Sequence, residues 1–436
     1  MIPVVIISSI TFVLVILSIL LFPHIKIGKI KLDSYWMIAL LGAIILLAFS
    51  FAPIDEVVKQ LFSNDSINPI KILVLFFSMT TISVILDELG LFHYLANVAS
   101  KYAKNNQILL FLSFYLLTSV LTVFTSNDVV ILTLTPFICF FAKRSRINPI
   151  PYLVAEFVAA NTWSLMFIIG NPTNIYLGTS SGLDFISYFK IMAVPTIISG
   201  IFELGLILLI FLKKLREPLI SNEEVEPLEN KVQVFVGVGI LFVCLVFLII
   251  SSYINLEMWL IALICAVILL IFMLVYSLFN KPNFDHLIET GKRLPYQLIP
   301  FFLSMFVIVV AINTQGISAK IAELLGNTNT IWVYGYTSFV ASNLINNIPM
   351  SILFTNIASS LTGEAYLEAI YASIIGSNIG AFLTPIGALA GIMFSGLINE
   401  NNVRFTFVDF IKYGAVISIP VITIALAMTK LFIFIS

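Results

Sequence analysis

Charge is what this chain has least of. Asp, Glu, Lys and Arg make up 10% of its 436 residues, against about 25% in an ordinary soluble domain. That scarcity excludes a solvated globular surface and a charge-extended disordered chain. The net charge is −1, and no basic patch interleaved with aromatics offers nucleic acid a footing, so no nucleic-acid partner is expected. Cysteine is rare. Cys139, Cys244 and Cys265 are scattered in apolar surroundings, at no metal or redox spacing, and read as small buried hydrophobes. His24, His93 and His286 fall in loops or interfacial helices, which argues against a histidine proton relay. No nucleophile–base pair, metal cluster or phosphate loop is evident. The chain does not read as an enzyme, and no cofactor is implied beyond a coupling H+ or Na+.

What is abundant is apolar sequence, 60% of the chain. Continuous runs such as Val4 to Phe22, Val234 to Ile250 and Trp259 to Tyr276 approach or reach the roughly 20 residues that cross a bilayer as a helix. Their continuity excludes the alternating pattern of a membrane β-barrel. The first run lacks a basic n-region and a small-residue cleavage site, so it reads as a retained span. The fold class is therefore an all-α polytopic membrane protein with the lipid bilayer as its partner. Punctuation by Pro, Gly and charge predicts ten spans, at about 2–22, 35–52, 70–88, 150–178, 189–212, 232–252, 258–279, 295–313, 365–395 and 408–434. It also predicts two hairpins, at about 106–141 and 330–361, whose arms are too short to cross and which read as re-entrant.

The basic residues orient this layout. With both termini outside the plasma (inner) membrane, all but five of the 22 Lys and Arg fall inside, the exceptions being Lys59, Lys71, Lys190, Lys320 and Lys430. Such a bias matches the positive-inside rule. The sequence also divides into a first repeat (1–213), an acidic cytoplasmic linker (214–231) and a second repeat (232–436). Ser126-Asn127 matches Ser342-Asn343, Asn161 matches Asn378, and Gly170 matches Gly387. Five spans plus a hairpin per repeat invert the second repeat relative to the first.

The chemistry lies where polar residues break the apolar segments. Unpaired backbone in hydrocarbon costs several kcal/mol per group, about 2–7 for an amide, so such breaks persist where they line a cavity or bind something. Paired breaks in corresponding halves point to a secondary transporter with a site near the midplane. Ser126, Asn127, Asn161, Thr173, Asn174, Ser342, Asn343, Asn346, Asn347, Ser377, Asn378 and Thr384 are expected around one cavity. Helix N-termini there suit an anion or a hydroxylated solute, and the side-chain oxygens suit a small cation. Asp128 is the sharpest residue, because an acid at membrane depth usually serves an ion or proton path. A proton and a cation competing for one carboxylate is a basis for coupling. Its aligned partner is Leu344, so the halves are chemically unequal. Glu156 reads as a second coupling residue or a buried structural acid, Asp87 and Glu88 as a solvated face, and Glu203 as packing. No Lys or Arg lies at the breaks, which favours a neutral hydroxide or a cation over a multiply charged anion.

At these residues the chain resembles the arsenite permease/sodium–proton antiporter group of the ion transporter superfamily, which also holds citrate and dicarboxylate carriers. The resembling segments are TSNDVVILTLTPF (125–137), ASNLINNIPMSIL (341–353) and GSNIGAFLTPIGALA (376–390). The resemblance implies an elevator-type fold with a scaffold domain and a mobile transport domain that carries the hairpins and broken helices. The Ser-Asn-Asp and Ser-Asn-Leu tips depart from the Ser-Asn-Thr tips of dicarboxylate carriers. Three readings stand: an ion-coupled exporter of arsenite or antimonite, a Na+/H+ antiporter, and a citrate/dicarboxylate-type anion symporter. The cargo is a small inorganic or organic solute in each, and a homodimer is compatible with all three. A channel would need a continuous polar stripe along the spans, and none is evident.

Overall fold

The computed structural model describes residues 1–21, 24–27, 30–62, 68–103, 106–217, 228, 230–280 and 284–435. Among them the chain is helical but for one antiparallel pair, β1 (His24–Ile27) with β2 (Ile30–Asp33). The pair departs from the all-α expectation. Its alternating HIKI and IKLD sequences carry a period of two, the strand period.

The helices form two runs. The first is α1 (Ile2–Leu21), α2 (Ser34–Ala48), α3 (Ile54–Leu61), α4 (Pro69–Glu88), α5 (Leu91–Tyr102), α6 (Gln107–Phe124), α7 (Asn127–Ser145), α8 (Ile150–Trp163), α9 (Pro172–Ser180) and α10 (Phe185–Leu215). The second is α11 (Lys231–Ile250), α12 (Met258–Asn280), α13 (Asp285–Arg293), α14 (Leu298–Thr314), α15 (Ile317–Leu325), α16 (Thr330–Ile345), α17 (Asn347–Ala358), α18 (Gly363–Gly380), α19 (Leu389–Glu400) and α20 (Phe407–Ile435). Among the described residues each run has ten helices in a similar order of long and short. α5 and α15 each follow a glycine at positive φ, Gly90 (85°) and Gly316 (70°), a conformation glycine adopts without steric cost. α8–α9 and α18–α19 are helices interrupted at 164–171 and 381–388. Packing partners swap between the runs: α2 lies on α14 and α12 on α4, α7 lies on α19 and α17 on α9, while α10 packs on α20.

Eight helical stretches among the described residues are long and apolar enough to cross a membrane. Seven of them are expected spans: α1, α4, α10, α11, α12, the α13–α14 stretch and α20. α2 is shorter, at 15 residues, and the remaining two expected spans are the interrupted helices. The eighth is α6. Its 18 residues extend about 27 Å at 1.5 Å per residue, longer than the expected hairpin arm, because nothing breaks the apolar run before Thr125. Arm length alone therefore does not make the first hairpin re-entrant.

The second hairpin also differs in register from the expectation. Its tip is Asn346, at φ 71°, between α16 and α17. Ser342 and Asn343 sit inside the last turn of α16, where both side chains bond back to the Phe339 carbonyl at 2.9 Å. Ser126-Asn127 therefore corresponds to Asn346-Asn347, and Asp128 to Ile348 instead of Leu344.

α16 and α18 approach very closely. A Cβ at Gly376 would meet Ser338 Oγ and, at 2.6 Å, the Gly335 carbonyl. One at Gly380 would meet Ser342 Oγ and, at 3.0 Å, the Phe339 carbonyl. Small residues four apart on both helices let the backbones touch, the usual device where lipid removes the hydrophobic drive between helices.

Candidate functional site

Two of the polar breaks are closed on themselves. At the first, Asn378 of α18 bridges the interrupted α8–α9. Its Oδ1 accepts from Ser164 Oγ (2.8 Å) and Asn171 Nδ2 (3.0 Å), and its Nδ2 donates to Asn174 Oδ1 (2.6 Å). Thr173 Oγ1 pairs with Ser377 Oγ at 2.9 Å, and Asn174 Nδ2 donates to the Ser164 carbonyl at 2.8 Å. At the second, Thr384 Oγ1 donates to Asn343 Oδ1 (2.6 Å) and Asn343 Nδ2 to the Gly380 carbonyl (3.0 Å). Asn346 Nδ2 donates to the Ile386 carbonyl and the Asn347 N–H to the Gly387 carbonyl, both at 3.0 Å. The second tip is thus sewn to the 381–388 break, and its buried polar groups are spent on one another.

The first tip is open. Ser126 stands at the N-cap of α7 without a side-chain capping bond. Ser126 Oγ and Asn127 Oδ1 are buried with no hydrogen-bond partner among the described residues. Asn127 Nδ2 reaches Asn161 Oδ1 at 3.4 Å, a long contact, and Asn161 itself is held by the Phe157 carbonyl at 2.8 Å. Asp128 occupies the first turn of α7, where the helix dipole favours an acid. It has no hydrogen bond or ion pair among the described residues and lines a cavity of about 730 Å³. The cavity lies between α7 and α19 on one side and α1, α2, α4 and α14 on the other. Thr80, Tyr35, Arg293, Pro385 and Ile386 also line it.

Of the candidate residues, Asp128 is the one on this wall. Ser126, Asn127 and Asn161 stand just behind it, and Thr173, Asn174, Ser342, Asn343, Asn346, Asn347, Ser377, Asn378 and Thr384 belong to the two closed networks. The expectation of one shared cavity is corrected to that extent: polar residues at helix breaks satisfy each other first. Glu156 is off the cavity too. It is buried, and both of its carboxyl oxygens lie 3.0 Å from Thr135 Oγ1 of α7.

Among the described residues two cations line the cavity, and each has a carboxylate partner. Lys292 bonds Glu289 at 2.7 Å, and Arg293 bonds Asp87 at 2.5 Å and also Glu88. Asp87 accepts in addition from Thr133 Oγ1 of α7 at 2.6 Å. Asp87, expected on a solvated face, is instead a buried ion-pair partner. Arg293 carried no sequence signal, since Glu88 lies 205 residues away. Asn171 lies within the 170–174 segment that interrupts the apolar run, and Ser164 precedes it, so both could have been found as polar residues of a break. The three cysteines are buried and free. The fold brings Cys244 to 3.9 Å from Met79 Sδ and into contact with Cys265, a pairing that their spacing hid. No group of three His, Cys, Asp or Glu among the described residues is placed to hold a metal.

The family described as "Citrate transporter" matches residues 12–376. The chain belongs to that family. The arsenical pump membrane protein of Escherichia coli is 26% identical over 374 residues, 82% of this chain and 85% of its own length. A putative arsenical pump membrane protein of Bacillus subtilis is 25% identical over 385 residues, 81% of this chain and 85% of its own length. Among solved structures, the YdaH transporter of Alcanivorax borkumensis superposes with a TM-score of 0.55 at 14% identity, covering 98% of each chain; that likeness concerns the fold. This citrate-transporter-family protein is an integral membrane transporter, and its relatives are transporters, not enzymes.

Proposed function

We propose that this transporter is a secondary active exporter of arsenite or antimonite, coupled to protons through Asp128. The observation that carries the reading is the Asp128 carboxylate, without a partner among the described residues, on the wall of a cavity whose Arg293 is held by Asp87 and Glu88 and whose Lys292 lies in an exposed pair with Glu289. Among the described residues a multiply charged organic anion would meet only cations that already have carboxylate partners, whereas a neutral trihydroxide needs only hydrogen-bond partners. The names of the arsenical-pump relatives support the same cargo. The repeated element order with swapped packing partners supports two inverted repeats, and the cavity between the two helix groups supports an elevator-type step of α6–α9 and α16–α19 against a scaffold. In this reading both termini face outward from the plasma membrane, and the tips re-enter from opposite sides.

A second reading is Na+/H+ exchange. It is favoured by the free Ser126 Oγ and Asn127 Oδ1 beside Asp128, three oxygen ligands of the type a small cation takes. Proteoliposomes offered arsenite, sodium and citrate in parallel separate these readings. Arsenite-driven proton flux that falls at least about a hundredfold in Asp128→Asn supports export. Sodium-dependent proton flux without an arsenite response moves the assignment to exchange, and citrate-driven flux overturns both.

A further inference from the structure

Glu203 lies inside α10 with its side chain fully buried. No charged group from the neighbouring α6, α8, α11 or α20 faces it, and Tyr115 is its one titratable neighbour among the described residues. A bare carboxylate in such a place is costly. Its contacts indicate which form it takes. Oε1 is 2.7 Å from Tyr115 Oη on α6, and Oε2 accepts from Thr162 Oγ1 at 2.5 Å. Tyr115 Oη has two more neighbours, the Gly200 carbonyl at 2.6 Å and the donor Trp163 Nε1 at 3.1 Å. A phenol has one proton and two acceptor sites. Opposite a carboxylate, that proton must choose between Glu203 and Gly200. With a proton on Oε1, every contact is met at once: Trp163 N–H and Glu203 O–H donate to Tyr115 Oη, which donates to Gly200. The geometry is that of a neutral carboxylic acid.

The α6 face that carries Tyr115 continues through Thr118 and Thr122 at helical spacing, and Ser126 follows beyond the end of α6, at the N-cap of α7. The hydroxyls of Thr118, Thr122 and Ser126 are buried without a partner among the described residues, and so is Ser199 Oγ on α10. Side chains one turn apart stand about 5–6 Å from each other, a gap that a single water bridges. From Tyr115 to Thr122 the stripe covers about 10 Å at 1.5 Å per residue. Beyond it the chain turns through Thr125 and Ser126 to Asp128.

We propose that Glu203 is a second proton site of the transport cycle, loaded in this structure and exchanging its proton with the first hairpin tip along the hydroxyl stripe of α6. The proposal rests on the proton-coupled reading above. Release is balanced: the Glu203 O–H bond gives its proton to the relay and no bond to carbon changes. The remaining carboxylate takes the Tyr115 O–H, turned away from Gly200, and keeps the Thr162 O–H.

The test is difference infrared spectroscopy on the full chain in liposomes, reading the C=O stretch of protonated carboxyl groups. That band is expected to disappear in Glu203→Gln and to shift when wild type is moved into D2O. The shift should slow by about tenfold or more in the Thr118→Val/Thr122→Val double variant. A band that Glu203→Gln leaves in place overturns the proposal, and so does a deuterium shift at wild-type rate in the double variant. Should Glu203→Gln fail to fold, Tyr115→Phe is read instead: the band should move as the Oη contact vanishes, and an unmoved band overturns the proposal. These readings need no solute, so a wild type without proton-coupled flux sinks the functional reading separately. Where that flux is present, Glu203→Gln should lower it by about tenfold or more, and an unchanged rate overturns the proton-site role.

Discussion

Asn346 does three things that its counterpart Ser126 does not. It holds φ at 71°, a region asparagine tolerates better than most residues. It caps α17 by accepting from the Ile348 N–H at 3.3 Å, and it donates to the Ile386 carbonyl. Asn346→Ala loses all three and should destabilise the protein by about 2–3 kcal/mol, while Asn346→Gly recovers the backbone part. Thermal unfolding in detergent with the two variants side by side checks this; equal midpoints would show that φ carries no part of the cost. Asn127→Ala should leave the unfolding midpoint nearly unchanged and impair flux, because its Oδ1 has no partner among the described residues. Asp128 was legible from the chain alone, since a single acid interrupts an apolar run. Arg293 was not, because only the fold brings α13 to the end of α4.

Among the elements, the α16–α18 contact is close enough to be sensitive to volume. Gly376→Ala places a methyl against the Gly335 carbonyl and the Phe339 N–H, 2.8 Å away, and should cost about 1–3 kcal/mol or more. Gly396 in α19 is the control: a Cβ there meets nothing within 4 Å, so Gly396→Ala should be neutral or stabilising by up to about 1 kcal/mol. Parallel thermal-shift measurements decide between this packing argument and a general intolerance of change at glycine. The hairpins and interruptions were legible as elements because Ser, Asn, Gly and Pro cluster there. Their register was less so. Ser342 and Asn343 look like a tip in one dimension, yet a helix absorbs them by side-chain bonds to its own carbonyls.

At the scale of the molecule, the apolar runs suggest two matched halves, whereas the packing of α2 on α14, α12 on α4 and α7 on α19 is a property of three dimensions. The proposed orientation makes a prediction of its own. In that orientation the exposed Asn399 on the cavity wall faces the cytoplasm and the exposed Tyr253 between α11 and α12 faces outside. An impermeant thiol reagent should label Asn399→Cys from the cytoplasm and Tyr253→Cys from outside, and the reverse pattern inverts the topology. The size of the cavity has a further consequence. A water takes up about 30 Å³ of liquid, and a trihydroxide of arsenic or antimony displaces only a few such volumes. The space of about 730 Å³ beside Asp128 is instead that of a pocket for a drug-sized molecule. Such a molecule, seated against α4 and α19 at once, would act as a wedge. In the proposed cycle it would hold the carrier in one posture without resembling the cargo, and a cell so treated would lose whatever the carrier provides.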